Sequence, residues 1–533
     1  MRHGPQRPGR RCLVALTTLA LMATGAAACT SDDAQPRAKP KRQTPTTAAP
    51  VPDPGPRDTV LPASAVAPRP LSRGAGRPNI LLITADDAAI GDLDHMPKLQ
   101  QYVADEGVTV ENGLAPTPIC VPARASLITG QYAHNHGAVT IEGEGGGFDA
   151  FADQDTLPVW LQAAGYDTMF VGKYLNGYGE DDATYVPPGW TDWQATVDPT
   201  TYDFEKPTIN HNGELSEHEE YSTDLLRDLA VEQISEPARQ DKPWYMWVNY
   251  VAPHTGQPAQ DDDPAETDPD NEKHLKTTVP AREYEDTFED QDLPDTPDMF
   301  EAETSDKTVA KLTWDRWNDR DRELLRESYQ QRLEALQSVD DAVADTIEAL
   351  RDTGQLDNTW VVFTGDNGYS QGEHNIAGKL WYFSDILGIP MVMRGPGLPH
   401  GKVVSTPVTN PDLATTFAAL AGATPTRPQD GVDVTPYLTT DADTRVVPIE
   451  GYRVKGGLTP LYYGVWAGPW TYVRTPARRE ELYNRDLDPW QLSSVAADPR
   501  FATQLRELRR LAKEQHTCAG ETCAKEFYSS AQR

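Results

Sequence analysis

The run Asn79-Ile80-Leu81-Leu82-Ile83-Thr84-Ala85 is apolar almost throughout, shows no alternation, and stops at Asp86-Asp87. A strand with one wet face alternates, so unbroken apolarity of strand length predicts a strand covered on both faces, as in the centre of a parallel sheet. Trp360-Val361-Val362-Phe363-Thr364 repeats the pattern and ends in Gly365-Asp366-Asn367-Gly368. Buried strands of this kind need helical layers above and below. The chain alternates accordingly: helix over Met96–Glu106, strand over Val108–Val110, a helix from Ala123 to Ile128, then helix Leu157–Ala164, strand Thr168–Val171, helix Tyr221–Ser235 and strand Trp244–Tyr250. A long helix over Asp321–Thr353 carries Leu333, Leu336, Val339, Val343, Ile347 and Leu350 at helical spacing. The predicted fold is α/β, with a mostly parallel central sheet sandwiched by helices. Between Gln257 and Thr313 an acidic, Pro-rich stretch reads as a long excursion near the site rim. Beyond about Val446 short aromatic-rich strands and a final helix over Arg500–Lys513 predict a smaller C-terminal β-rich subdomain.

The N-terminus reads as an export signal: Arg2, Arg7, Arg10 and Arg11, then an apolar run from Leu13 that ends in Ala26-Ala27-Ala28-Cys29. Cys29 fits a lipoprotein cleavage site, and cleavage after Ala28 with Cys29 incidental is the alternative. The export route, general or twin-arginine, stays open. Residues 30–77 are rich in Pro, Thr, Ala and Arg and read as an extended tether. The predicted organisation is therefore 1–29 signal with lipoprotein cysteine, 30–77 tether, 78–445 catalytic domain and 446–533 C-terminal subdomain, with a cell-surface lipoprotein or a secreted protein as the destination. Membrane contact is expected only through the lipid anchor. A net charge of -33 argues against nucleic acid as a partner. Cys518 and Cys523 are expected to form a small disulfide loop outside the cell, zinc binding with His516 being the alternative.

Strand ends carrying acids at one edge of a parallel sheet make a site where open α/β sheets bind ligands. Asp86, Asp87, Asp366 and the amide oxygen of Asn367 are hard oxygen donors, which favours Ca²⁺, with Mg²⁺ as alternative, over zinc. A helix starting behind Cys120 would aim backbone N–H groups at an anion. Its thiol would be mostly neutral near pH 7 unless a cation depresses its pKa.

Cys120-Val121-Pro122-Ala123-Arg124 followed by Thr129-Gly130 resembles the signature of the type I sulfatases of the alkaline phosphatase superfamily. The resemblance extends from about Pro78 to about Leu511. It implies that a formylglycine-generating enzyme oxidises Cys120 to formylglycine, an aldehyde. Hydrated, the aldehyde offers one hydroxyl to attack sulfur and a second whose deprotonation expels sulfate by C–O cleavage. It implies further that Asp86, Asp87, Asp366 and Asn367 ligate a divalent cation together with position 120. Arg124 would orient the nucleophile, Lys173 in Gly172-Lys173-Tyr174 and Lys379 would bind sulfate, and His254 in Ala252-Pro253-His254 would protonate the leaving alcohol. His374 in Gly372-Glu373-His374 resembles a position near the sulfate.

Gly172-Lys173-Tyr174-Leu175-Asn176, Glu220-Tyr221-Ser222-Thr223-Asp224 and Asp366-Asn367-Gly368-Tyr369 are similar to the branch of N-acetylglucosamine-6-sulfatases and heparan 6-O-endosulfatases. Many sulfatases carry His where Leu175 stands. Here His374 is the expected substitute base for sulfate release, and Asn176 is expected to hydrogen-bond substrate. Tyr382-Phe383-Ser384-Asp385 departs from the branch as well, whose members usually carry an acid after the Tyr. The expected substrate is a sulfated sugar or an aryl sulfate. Two alternatives stand beside it: a phosphodiester or phosphonate monoester hydrolase of the same superfamily, and an inactive glycan-binding lipoprotein.

Overall fold

In a computed structural model the described residues are 59–61 and 76–528, apart from 238–241, 261–262, 265–274, 308, 310–316, 441–443 and 456. The leader with Cys29 and nearly all of the expected tether lie outside them. The apolar runs become strands of a ten-stranded mixed sheet. In chain order these are β1 (Asn79–Ala85), β2 (Val108–Val110), β3 (Asp167–Gly172), β4 (Asp192–Thr196), β5 (Thr208–His211), β6 (Glu214–Glu217), β7 (Trp244–Tyr250), β8 (Thr359–Gly365), β9 (Met391–Arg394) and β10 (Lys402–Val404). They lie in the order β10-β2-β9-β8-β1-β7-β3-β4-β5-β6. The five central strands β8-β1-β7-β3-β4 are parallel, and antiparallel partners flank them on either side.

Every residue of β1, β7 and β8 is buried, which is why these segments show no alternation. Ile80, Leu82, Trp247 and Val362 pack on one face with residues of helices Cys120–Thr129, Leu157–Ala163 and Asn410–Ala421. Leu81, Ile83, Val248 and Phe363 face the other way, against helices Ser222–Ser235 and Asp319–Asp352. Each fully buried aliphatic side chain contributes about 1.5–3 kcal/mol. The expected sandwich is the observed one. Of the 257–313 excursion, residues 275–307 include a stretch lying along the long helix, where Gln330 Nε2 donates to Glu289 O at 2.7 Å and the Phe288 N–H to Glu334 at 3.1 Å.

A second, six-stranded antiparallel sheet contains strands Arg445–Gly451, Tyr462–Ala467, Trp470–Arg474, Glu480–Asn484 and Lys525–Tyr528. Residues 59–61, read as tether, add an edge strand to it by pairing with Lys525–Tyr528. The sheet packs on the segment between β8 and β9: Val447, Ile449, Tyr462 and Tyr483 lie in one core with Trp381, Tyr382, Phe383 and Ile386. Both sheets belong to one compact unit, residues 52–533. The last helix spans Ala502–Gln515, and Cys518 and Cys523 are joined by a disulfide.

Candidate active site

Strand register decides which residues meet. Gly365 pairs with Ala85, Ala85 with Tyr250, and Gly172 with Asn249. Four parallel strands therefore end at one level, and the residues just beyond them, Asp366, Asp86-Asp87, Val251–His254 and Lys173, converge outside the same edge. Gly172 is at φ +103°, and a Cβ there would lie 2.1 Å from Asn249 O. Only glycine lets the chain turn so closely past β7 before Lys173.

Helix Cys120–Thr129 begins at Cys120, buried beside this edge. The thiol lies 3.6 Å from Asp86 Oδ1, and Lys379 Nζ is 2.9 Å from the sulfur. Asp86, Asp87 and Asp366 present oxygens all within 4.8 Å of one another. Asn367 donates from Nδ2 to Asp87 Oδ1 at 2.7 Å, while its buried Oδ1 has no hydrogen-bond donor among the described residues. An orphaned amide oxygen beside three buried carboxylates is costly unless a cation completes it. The donor set is all hard oxygen, so these residues fit Ca²⁺ or Mg²⁺.

Basic groups enclose the acids. Lys173 pairs with Asp86 and Lys379 with Asp87. Arg124, fully buried, donates from Nε to Asp366 at 2.8 Å and from Nη1 to Lys173 O at 2.9 Å and Asn249 Oδ1 at 3.1 Å. Nε and Nη1 are thus committed to protein atoms and brace the cluster, whereas the buried Nη2, 3.6 Å from Asp86 Oδ1, has no hydrogen-bond acceptor among the described residues. Burial pushes the Asp86 carboxyl up, but Lys173, His254 and Arg124 together outweigh it and hold the group below the usual carboxylate range. Asp87 is lowered likewise, burial being outweighed by Lys379 and His254. Burial pushes the Cys120 thiol up to about 12 against the pull of Lys173 and Lys379. As a plain thiol it is protonated at neutral pH and a weak nucleophile.

His254 lies with Nε2 3.7 Å from Asp87 Oδ2, and Nδ1 bonds the Thr255 carbonyl at 2.7 Å. A carbonyl only accepts, so Nδ1 carries hydrogen and Nε2 is the nitrogen turned to the cluster. Burial lowers its pKa, opposed by Asp86 and Asp87.

Two expected substrate residues are placed differently. The Nδ1 of His374 meets Glu301 Oε2 at 2.8 Å, its ring stacks on Phe383 at 3.8 Å, and it clusters with Asp298 and Asp385. Among the described residues none of its hydrogen bonds, ion pairs or ring contacts reaches Cys120, Lys173, Lys379 or the two acids of β1. Burial, with Lys307 nearby, pushes its pKa down to about 3. Asn176 gives its amide N–H to the Tyr202 hydroxyl at 2.8 Å and lines a cavity of about 340 Å³.

Two residues of the cluster escaped sequence reading. Asn249, which accepts from Arg124 and from the Thr84 hydroxyl, had one signal: a lone amide inside an apolar strand. Tyr202 had none. The loop that carries Lys379 is propped by the second sheet, through the Tyr462 hydroxyl donating to Leu380 O at 2.7 Å. The Leu380 N–H ties it to Pro118 O at 3.0 Å, next to Cys120.

The sulfatase family profile matches residues 78–423. An arylsulfatase of Volvox carteri is 30% identical over 497 residues, 84% of this chain and 76% of its own length. An N-acetylglucosamine-6-sulfatase of Capra hircus is 27% identical over 505 residues, 85% of this chain and 86% of its own. The solved structure of a protein in complex with its substrate D-glucosamine-2-N,6-O-disulfate shares the fold with a TM-score of 0.67 at 19% identity, covering 83% of this chain and 97% of that one. The match spans well over half of the residues and includes every group gathered at the strand ends, and the chain belongs to the sulfatase family, hydrolases of sulfate esters.

Proposed function

We propose that the protein is an exported sulfatase acting on a sulfated sugar, with formylglycine at position 120 and a divalent cation held by Asp86, Asp87, Asp366 and Asn367. The observation that carries the reading is the orphaned Asn367 oxygen among three buried carboxylates, with the Cys120 side chain within reach of Asp86 and Lys379. Bound there, a hard cation would withdraw charge from sulfate oxygens and acidify the attacking hydroxyl. Converted to formylglycine, position 120 would supply a hydrated aldehyde as nucleophile where the thiol is held protonated.

The chain's own residues account for the rest. Lys173 and Lys379 approach position 120 from opposite acids, and their ammonium groups offer hydrogen bonds to a sulfate whose charge builds up in the transition state. Arg124 holds Asp366 and the Lys173 main chain in place. His254, as the imidazolium, donates from Nε2 to the departing alcohol. Support for a sugar substrate comes from the goat relative's name and from the glucosamine disulfate bound in the structural neighbour. Export is supported by the N-terminal signal pattern and by the Cys518–Cys523 disulfide.

Mass spectrometry of the Cys120 peptide from protein made in its native host tests this, together with turnover of paired aryl sulfate and aryl phosphodiester substrates. The expected result is a peptide with the thiol replaced by an aldehyde, and preference for the sulfate. An unmodified cysteine without sulfate turnover would sink the proposal, and preference for the phosphodiester would move the substrate class.

A further inference from the structure

We propose that Tyr202 is a positioning residue of this site, whose ring seats both the sulfate-binding Lys173 and the leaving-group acid His254. The inference rests on the proposed roles of those two residues. Lys173 Nζ lies 4.8 Å from the Tyr202 ring centroid, on which an ammonium is attracted by the negative π face. The His254 ring stands 4.7 Å from the same ring, with the planes inclined by 33°. The Tyr202 hydroxyl receives the Asn176 amide N–H at 2.8 Å, which fixes the rotation of the ring from its far end.

The main chain sets the same relation. The Gln257 N–H donates to Tyr202 O at 2.9 Å, and the Phe204 N–H donates to Gln257 O at 2.8 Å. This pair of bonds zips the Tyr202 turn to the loop that carries His254. Gly256 permits the contact: a Cβ there would lie 2.4 Å from the Phe204 ring and 2.7 Å from Tyr202 O. The tyrosine therefore answers a physical need of the site. The Lys173 ammonium is drawn strongly toward Asp86, and the neutral Tyr202 ring offers a second attraction without adding charge. Flanking the imidazole with the same ring limits the swing of His254, so that Nε2 stays aimed at the cluster. Asn176 follows Leu175 in the element that departs from the family pattern, and its amide is what orients the tyrosine.

The test uses the leaving group. A p-nitrophenyl sulfate departs with little help from an acid, whereas N-acetylglucosamine 6-sulfate needs its alkoxide protonated. Steady-state kcat and KM are measured for both substrates with wild type, Tyr202→Leu, Tyr202→Met and Tyr202→Phe. Removing the ring is expected to lower kcat for the sugar sulfate by about 100-fold, within the range for a misplaced general acid, and for the aryl sulfate by less than about tenfold. The Phe variant, which keeps the face, is expected to restore most of the ratio between the two substrates. Tyr202→Met fills a similar volume without a ring and serves if the Leu variant does not fold. Equal losses on both substrates, an unmoved ratio, or a Phe variant as impaired as Leu would overturn the role of Tyr202. Wild-type enzyme that turns over neither ester would instead overturn the proposed chemistry.

Discussion

Arg124→Met removes a guanidinium that the structure holds fully buried beside an equally buried Asp366. Four bonds go with it, to Asp366 Oδ2 at 2.8 Å, Lys173 O at 2.9 Å, Asn249 Oδ1 at 3.1 Å and Tyr174 O at 3.4 Å. Asn249 keeps its bond from the Thr84 hydroxyl, and Asp366 Oδ1 still accepts the Asp87 and Asn367 N–H groups at 3.0 and 2.8 Å. Most of the penalty therefore falls on a carboxylate that has lost its counter-charge. Breaking a buried pair from one side costs about 3–5 kcal/mol, more than two powers of ten in the folding equilibrium at about 1.4 kcal/mol each. Neutralising the partner should recover part of this, so the double variant Arg124→Met/Asp366→Asn is expected to be less destabilised than the two single changes summed. A coupling of about 2 kcal/mol is within the range for contacting residues. The assay is urea unfolding in chelator, followed by fluorescence of the buried Trp193, Trp244, Trp247 and Trp360. Additivity within about 0.5 kcal/mol would refute the claim that the Arg124–Asp366 pair holds this edge together.

Lys379→Met is expected to lower kcat for an aryl sulfate by about 100- to 1000-fold, the usual loss for one transition-state donor, as steady-state kinetics would show. His136 is buried, its ring bonding Ser126 Oγ and the Ala138 N–H at 3.2 Å each, and burial pushes its pKa down to about 3. Between pH 6.5 and about 3 the unfolded chain binds a proton there that the folded chain refuses. Stability should therefore fall as pH drops through that window, by up to about 1.4 kcal/mol per unit, and His136→Gln should flatten the slope in denaturant titrations. Chelation should abolish sulfate turnover and lower the unfolding temperature, both restored by Ca²⁺; an unfolding curve indifferent to Ca²⁺ would contradict the oxygen site. Reducing the Cys518–Cys523 bridge, which closes a short loop, should cost roughly 2 kcal/mol and leave kcat unchanged, as activity after mild reduction would reveal.

Much of the site was legible because a fully buried parallel strand cannot disguise itself. β1, β7 and β8 read as apolar runs, and the polar residues just after them, Asp86, His254 and Asp366, were exposed to view as interruptions. His374 shows where this reading stops. It lies only a few residues before Lys379, yet left-handed residues His374, φ +52°, and Asn375, φ +63°, in the reversal that joins the paired Ser370–Gln371 and Ala377–Gly378, send the two side chains to different partners. Local spacing carries no information about such reversals. Tyr202 was invisible for another reason: it belongs to a three-residue turn, and its contacts with Lys173 and His254 come from two other strand ends.

By itself the sequence determined which segments must be buried, and hence that Asp86-Asp87, Lys173, His254 and Asp366-Asn367 stand at strand termini and that Cys120 stands ahead of a helix. Burial pattern is a local property, written in the order of residues. Only the tertiary structure decided that β8, β1, β7 and β3 are neighbours in register, so that those termini form one cluster. It also decided that the second sheet props the Lys379 loop through Tyr462, and that the Tyr202 ring meets both the lysine and the histidine. These relations depend on which distant surfaces pack together, and that choice is made by the summed free energy of the whole core.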